Sequence, residues 1–426
     1  MILASSSWAP VWSLVFCGVL LLYTLSRYAL SYRQLHHVAR HRHQVPTAFA
    51  EHITLAAHQK AADYTLAKLR LDLLELPWHT ALLVGWTLLG GLHNLNQMLL
   101  VWMGPGLAQQ IALLAGFFVV SSVLELPWGW YRTFQLEARF GFNRSSLGLW
   151  LSDQAKGLLL GAVLGLPLAT ALLWLMNSTG PTWWLWGWGL WAGFNLLLLV
   201  LYPTVIAPLF NQFQPLTDAT LRTRIEALLQ RSGLRAQGIY VMDGSKRSMH
   251  ANAYFTGLGP AKRVVFFDTL LAQLTPTQID AVLAHELGHL KHRHIMQRVG
   301  VMLVASGLGF ALLGWLIDQP WFYLGLGVIP NLDSANSALA LLLLLISAPL
   351  FTFFTTPLFS HQSRQHEFEA DAYAAQHSSA NDLRAALLKL YQDNASTLTP
   401  DPWYARFYYS HPPAHERLAR LNIPTA

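Results

Sequence analysis

Long apolar runs separated by charged loops dominate the chain. Seven of them, at about 8–28, 74–92, 107–128, 157–177, 183–204, 297–317 and 336–358, approach the roughly 20 residues a helix needs to cross a bilayer. The second and third are less uniformly apolar than the others. Between the fifth and sixth runs the pattern becomes that of a soluble fold. Ile239-Tyr240-Val241-Met242, His250 to Phe255 and Arg263-Val264-Val265-Phe266-Phe267 read as strands of a small antiparallel sheet, the first ended by the turn signal Asp243-Gly244. Asp268-Thr269 caps a short helix, and Thr275-Pro276-Thr277 opens a longer one, spanning about 277–298 and heading directly into the sixth run.

These elements predict a mainly α, polytopic membrane protein with about seven transmembrane helices and a small α+β part. They divide the chain into a membrane region of five helices (1–204), a soluble-type segment (205–296), transmembrane helices six and seven (297–358), and the remainder of the soluble part (359–426).

Basic residues mark every second loop. Arg27, Arg33, Arg40, Arg42, Lys60, Lys68 and Arg70 follow the first run, and Arg132, Arg139, Arg144 and Lys156 follow the third. Arg222, Arg224, Arg231, Arg235, Lys246, Arg247, Lys262 and Arg263 follow the fifth, and the tail after the seventh is basic again. The loops 93–106, 177–182 and 318–335 contain no Lys or Arg. By the positive-inside rule the N-terminus is then outside, with the soluble segment and the C-terminus in the cytoplasm.

Composition agrees: 53% hydrophobic residues, only 12% charged ones and 17 Trp point to a membrane protein with interfacial aromatics in contact with lipid. The net charge of +6 forms no basic stripe, which argues against a nucleic-acid partner. A lone Cys17 in an apolar run excludes a disulfide framework and a thiolate metal site. Met1 to Pro10 lacks the positive segment of a signal peptide, so the first run reads as a retained span. The charge alternation and the lack of a targeting signal suggest a bacterial inner membrane.

The longer soluble helix contains His285-Glu286-Leu287-Gly288-His289. Residues four apart share a helix face, so His285 and His289 can close on one metal ion, and Glu286 is placed as the base for a water activated there. Apolar Val282, Leu283 and Leu287 would pack this helix into a core, unlike a surface helix with scattered histidines. A catalytic zinc usually has three protein ligands. A metzincin would need glycine at 292 and histidine at 295, but the chain has His292 and Ile295. His292 is too far along a straight helix to join the first two at about 2 Å. It and His294 read as interfacial or supporting residues. Glu367, in Ser363-Arg364-Gln365-His366-Glu367-Phe368-Glu369-Ala370-Asp371, completes a His-His-Glu set for one Zn2+ per chain, whereas Glu369 points elsewhere. Asp371 shares the Glu367 face and can accept the other ring N–H of His285. In Tyr409-Ser410-His411-Pro412-Pro413-Ala414-His415-Glu416-Arg417, His411 could donate to an oxyanion and Arg417 could anchor a carboxylate. A plain helix cap explains that stretch equally well.

At these residues the chain resembles the type I CAAX prenyl protease family, integral-membrane zinc metalloproteases that are gluzincins by site. The resemblance includes Tyr131-Arg132-Thr133-Phe134, Phe140-Gly141-Phe142-Asn143, Ile206-Ala207-Pro208-Leu209-Phe210-Asn211 and Ser248-Met249-His250-Ala251-Asn252-Ala253-Tyr254-Phe255. It continues through His285–His289, Glu367–Asp371 and Ser410–Arg417. It implies seven helices around a water-filled chamber capped by a zincin-like catalytic domain. His285, His289 and Glu367 would bind zinc, Glu286 would be the base, and His411 and Arg417 would face the site. Asn252 and Ala253 would lie on a substrate-binding edge strand. The implied activity is hydrolysis of peptide bonds near the C-terminus of prenylated proteins. A bacterial source would instead favour general quality control of membrane proteins, as in proteases of the HtpX type. This chain is longer than those, with more spans. A zinc transporter would place more ionisable residues inside its spans, and a non-catalytic scaffold would not need Glu286.

Overall fold

A computed structural model describes residues 7–234, 237–256 and 263–421. Arg235 and Lys262, two of the loop cations above, lie outside the described residues. Among the described residues, six helical stretches are long and apolar enough to cross a membrane: Ala9–His41, Leu107–Glu137, Leu147–Ser178, Gly180–Phe210, His294–Leu316 and Ser337–His377. The run at 74–92 is divided between helices Leu55–Trp86 and Gly91–Met103, with Gly90 at φ 76° in the turn. A side chain at Gly91 would meet the Gly85 carbonyl oxygen at 2.6 Å, so the chain can reverse this tightly only without one. Leu55–Trp86 itself carries too many charges for an apolar span, yet it packs along Ala9–His41 and belongs to the bundle.

Several polar groups of this helix have partners on its neighbours. Arg132 Nη2 donates to Glu75 Oε2 at 2.6 Å, and His79 lies 3.1 Å from Glu125. Arg132 and Glu75 line a cavity of ≈ 600 Å³ together with His79 and Glu125. A neighbouring cavity of ≈ 620 Å³ shares Arg132 and reaches His411 and Arg417. A third, of ≈ 280 Å³, shares His79 and Glu125 with the first. Glu75, His79, Glu125 and Arg132 thus meet one another around one shared cavity.

Helix Ala9–His41 has 33 residues, about 50 Å of helix, and overshoots a hydrocarbon core of about 30 Å. Its projecting end is clamped to the C-terminal segment. Arg33 Nη2 donates to Asp401 at 2.9 Å, and Gln34 Oε1 accepts from the Asp401 N–H at 2.6 Å. Membrane and soluble parts are thus tied at sites far apart in sequence.

The main core of the soluble part joins Leu221, Ile225 and Phe266 to Leu283, Leu287, Ala374 and Leu387. Its sheet contains β1 (Phe213–Pro215), β2 (Gly238–Met242), β3 (Ala253–Thr256) and β4 (Arg263–Phe267) in the order β1-β2-β4-β3. The antiparallel sheet expected from the sequence is corrected to a mixed one, because β2 and β4 pair in parallel. β3 and β4 form an antiparallel pair that docks through β4, leaving β3 at the edge.

The helix expected over 277–298 is also two. Pro276–Lys291 starts with Thr275 accepting from the Gln278 N–H in a capping box. It stops at His292; Arg293 takes a left-handed conformation (φ 57°), and a new helix, His294–Leu316, becomes the span. The soluble and membrane helices are joined by this turn instead of running straight through.

Candidate metal centre

Pro276–Lys291 packs most extensively against Thr356–His377, and the two backbones come close at Gly288. A Cβ there would lie 2.8 Å from Ala370 Cα and 3.1 Å from the Ala370 carbonyl oxygen, both backbone. Gly288→Ala, which in an ordinary helix would gain about 1 kcal/mol, should instead cost about 1–3 kcal/mol by forcing the helices apart. Thermal unfolding and metal content should both fall; a higher Tm would refute this close-packing argument.

The approach aims His285 and His289 at Glu367. His285 Nε2 and His289 Nε2 are 3.2 Å apart, His289 Nε2 is 3.3 Å from Glu367 Oε1, and His285 Nε2 is 3.5 Å from Glu367 Oε2. Tetrahedral ligands at about 2.0–2.1 Å from an ion stand about 3.3 Å from one another. These spacings therefore leave room for one small tetrahedral cation. Glu367 is 3% exposed, and its Oε2 is buried without a hydrogen bond. Buried carboxylate oxygens rarely stay unpaired.

The far ring nitrogens dictate the same conclusion. His285 Nδ1 lies 2.8 Å from Asp371 Oδ1, so it carries the proton and donates it there. Nε2 is then turned toward Glu367 and His289, where a proton or a metal ion would offset the carboxylate charge. Burial pushes the His285 imidazolium down, but Asp371 and Glu367 more than reverse this, bringing it up to about 9. The pocket attracts positive charge.

Asp371 is 3% exposed and Arg417 5%; Arg417 Nε donates to Asp371 Oδ2 at 2.8 Å. Arg417 Nη1 lies 3.7 Å from Glu367 Oε2. The carboxylates it meets come from its own chain, and it sits behind the candidate ligands, at the wall of the ≈ 620 Å³ cavity. His411 is exposed at the mouth, with Nε2 3.5 Å from Glu367 Oε1. Glu286 lines a cavity of ≈ 280 Å³ with His285, His289, Glu367, His411 and Phe255. Burial raises the Glu286 carboxyl above its ordinary value, against the opposing pull of His285 and His289. Phe255 comes from edge strand β3, which brings Ala253 and the preceding Asn252 to the same side of the molecule as the helix. Asn252 is exposed, whereas Ala253 is buried and pairs with Phe266.

One neighbour was assigned only a general supporting place by the sequence. His294, 1% exposed, directs Nδ1 at His289 Nδ1 from 2.9 Å, and its Nε2 reaches Glu369 Oε2 at 2.8 Å. On an unbroken helix it would be about 140° round from His289; the turn at Arg293 brings it in. Glu369, pointing away from Glu367, is its partner.

The sequence matches two family models: "CAAX prenyl protease N-terminal, five membrane helices" over residues 34–212, and "Peptidase family M48" over residues 215–425. It is 32% identical to CAAX prenyl protease 1 of Saccharomyces cerevisiae across 96% of this chain and 95% of that one. With the CAAX prenyl protease 1 homolog of Oryza sativa it shares 36% identity over 73% of each chain. The crystal structure of S. mikatae Ste24p superposes with a TM-score of 0.91 at 30% identity, covering 97% of this chain and 99% of that one.

Proposed function

The chain belongs to peptidase family M48, as a membrane metalloprotease of the CAAX protease type, and from that premise we propose that it is a zinc endopeptidase cutting prenylated proteins near their C-termini. The observation that carries the metal assignment is the set of 3.2, 3.3 and 3.5 Å spacings among His285, His289 and Glu367. A zinc ion held by these residues would activate a water and polarise the scissile carbonyl.

The chain's own groups would do the rest. Edge strand β3, with Asn252 and Ala253 at its start, pairs with the extended substrate and holds it across the HExxH helix. Glu286 takes the proton of the attacking water and delivers it to the departing amine. His411, exposed at the mouth, donates to the developing oxyanion. Arg417 acts at one remove: it holds Asp371, which holds His285. The adjoining cavities would take up the apolar, membrane-proximal end of the substrate. Residues 205–296 and 359–426 together form the catalytic part, interrupted by two spans.

Charge alternation in the loops supports an N-terminus outside and a cytoplasmic catalytic side. The relatives named above are eukaryotic and lend the bacterial source no support. Purified protein in detergent should hydrolyse a farnesylated CAAX peptide at least about tenfold faster than the same peptide without the lipid. Such a ratio corresponds to only about 1.4 kcal/mol, far less than burial of a farnesyl chain can supply. Equal turnover of both peptides would point to a general endopeptidase of the quality-control kind.

A further inference from the structure

His294 and Glu369 lie outside the candidate ligand set but are joined to it. His289 presents Nε2 to the metal position, so its Nδ1 carries the proton. That N–H points at His294 Nδ1, 2.9 Å away, which must therefore be an unprotonated acceptor. The remaining proton of the His294 ring is then on Nε2, where it is donated to Glu369 Oε2 at 2.8 Å. Each hydrogen bond fixes the next, and only a neutral His294 satisfies both.

The fold holds this ring on several sides. The His294 ring stacks on His366 with centroids 3.9 Å apart and planes at 6°, and His292 stacks at 5.6 Å. Arg293 adopts a left-handed backbone, uncommon for any residue but glycine, and so turns His294 back onto His289. A local strain that serves only a chain reversal would more readily be met by glycine.

We propose that His294, oriented by Glu369, is a positioning residue that fixes the tautomer and ring angle of the metal ligand His289. This rests on the zinc assignment above. Asp371 stands behind His285 in the same way, so each histidine ligand has its own carboxylate: one direct, one through an intervening imidazole.

The same groups admit a rival arrangement, because donor atoms of His292, His294 and Glu369 also lie within 4.8 Å of one another. A second metal there would need the Nε2 lone pair of His294. The His289 contact places a proton on that nitrogen, so the relay and a second metal are mutually exclusive.

The test uses full-length protein purified in detergent and loaded with zinc. Release to a chromogenic chelator is followed alongside total metal content. His294→Phe keeps the ring stack but removes both nitrogens, and should release zinc about 10- to 100-fold faster. His294→Asn retains an acceptor near the Nδ1 position and should restore most of the slow release. Glu369→Leu should fall between them. In the cobalt-substituted protein, His294→Phe should also shift the visible ligand-field bands, which a loss of packing alone would not do. Wild-type release from His294→Phe, or failure of His294→Asn to rescue, would overturn the relay. So would a second equivalent of tight zinc in the wild type that disappears in Glu369→Leu. Failure of the underlying zinc assignment has its own signature: His289→Ala would then hold zinc as tightly as the parent.

Discussion

Glu286→Gln should reduce peptide cleavage by about 10²- to 10⁴-fold, the usual worth of a positioned general base, and leave about one zinc bound per chain. The two halves of this result come from different atoms. The candidate ligand atoms belong to His285, His289 and Glu367, which meet one another at 3.2–3.5 Å without Glu286. Glutamine has the shape of glutamate, so the helix and its contacts with Thr356–His377 should survive. What it lacks is an oxygen that can accept a proton. Burial already raises the Glu286 carboxyl, bringing it nearer to the neutral range in which a base both accepts a proton and gives it up. Metal analysis and a peptide assay on the same sample decide the matter. Unimpaired proteolysis would remove Glu286 from the mechanism, and loss of zinc would make it a ligand.

How much of this was legible in the sequence differed from element to element. Helical periodicity and ligand chemistry are local rules, so the shared faces of His285 with His289, and of Glu367 with Asp371, could be read directly. The structure brings the two faces together at Gly288, whose meaning the sequence did not disclose: it is the point where two backbones touch. The relay through His294 was hidden for a definite reason. Neither glycine nor proline marks the break at His292 and Arg293, and without the break His294 is on the wrong side of the helix. The sheet was misread because sequence order says which strands form the β3–β4 pair but not which of them meets β2. The run read as a second span at 74–92 is broken by the turn at Gly90, between Leu55–Trp86 and Gly91–Met103. Glu75 and His79, both within that run, line a cavity with Arg132 and Glu125. Arg417 could be placed near the site, but not behind it, since its pairing with Asp371 depends on how the last helix docks.

Glu367→Ala should lose zinc outright, and with it activity, although the substitution removes only one of three donors. A two-histidine site would have to recruit two waters where a catalytic site ordinarily recruits one. It would also lose the only charge-neutralising ligand. In the wild type Glu367 sets its carboxylate against His285, His289 and the approaching guanidinium of Arg417 at 3.7 Å. Burial alone would drive its carboxyl up, but the hydrogen-bonding histidines outweigh that and hold it well below the ordinary range. The carboxylate is therefore ionised and available across the working pH range. Without it, Arg417 and Asp371 still pair, so the fold behind the site should persist, but a dication would enter a pocket lined by two neutral rings beside a buried arginine. The sharpest measurement is the thermal shift on adding zinc. A ligand at 100 times its Kd stabilises the folded state by about 2.7 kcal/mol, so the wild type should show a shift of several degrees and the variant none. Asp371→Asn, which leaves all three ligands in place, should keep a reduced shift. If Glu367→Ala retained the full shift and unchanged zinc content, the third ligand would have to be sought elsewhere. Glu369 would then be the first carboxylate to test, since it already reaches His294 beside the site.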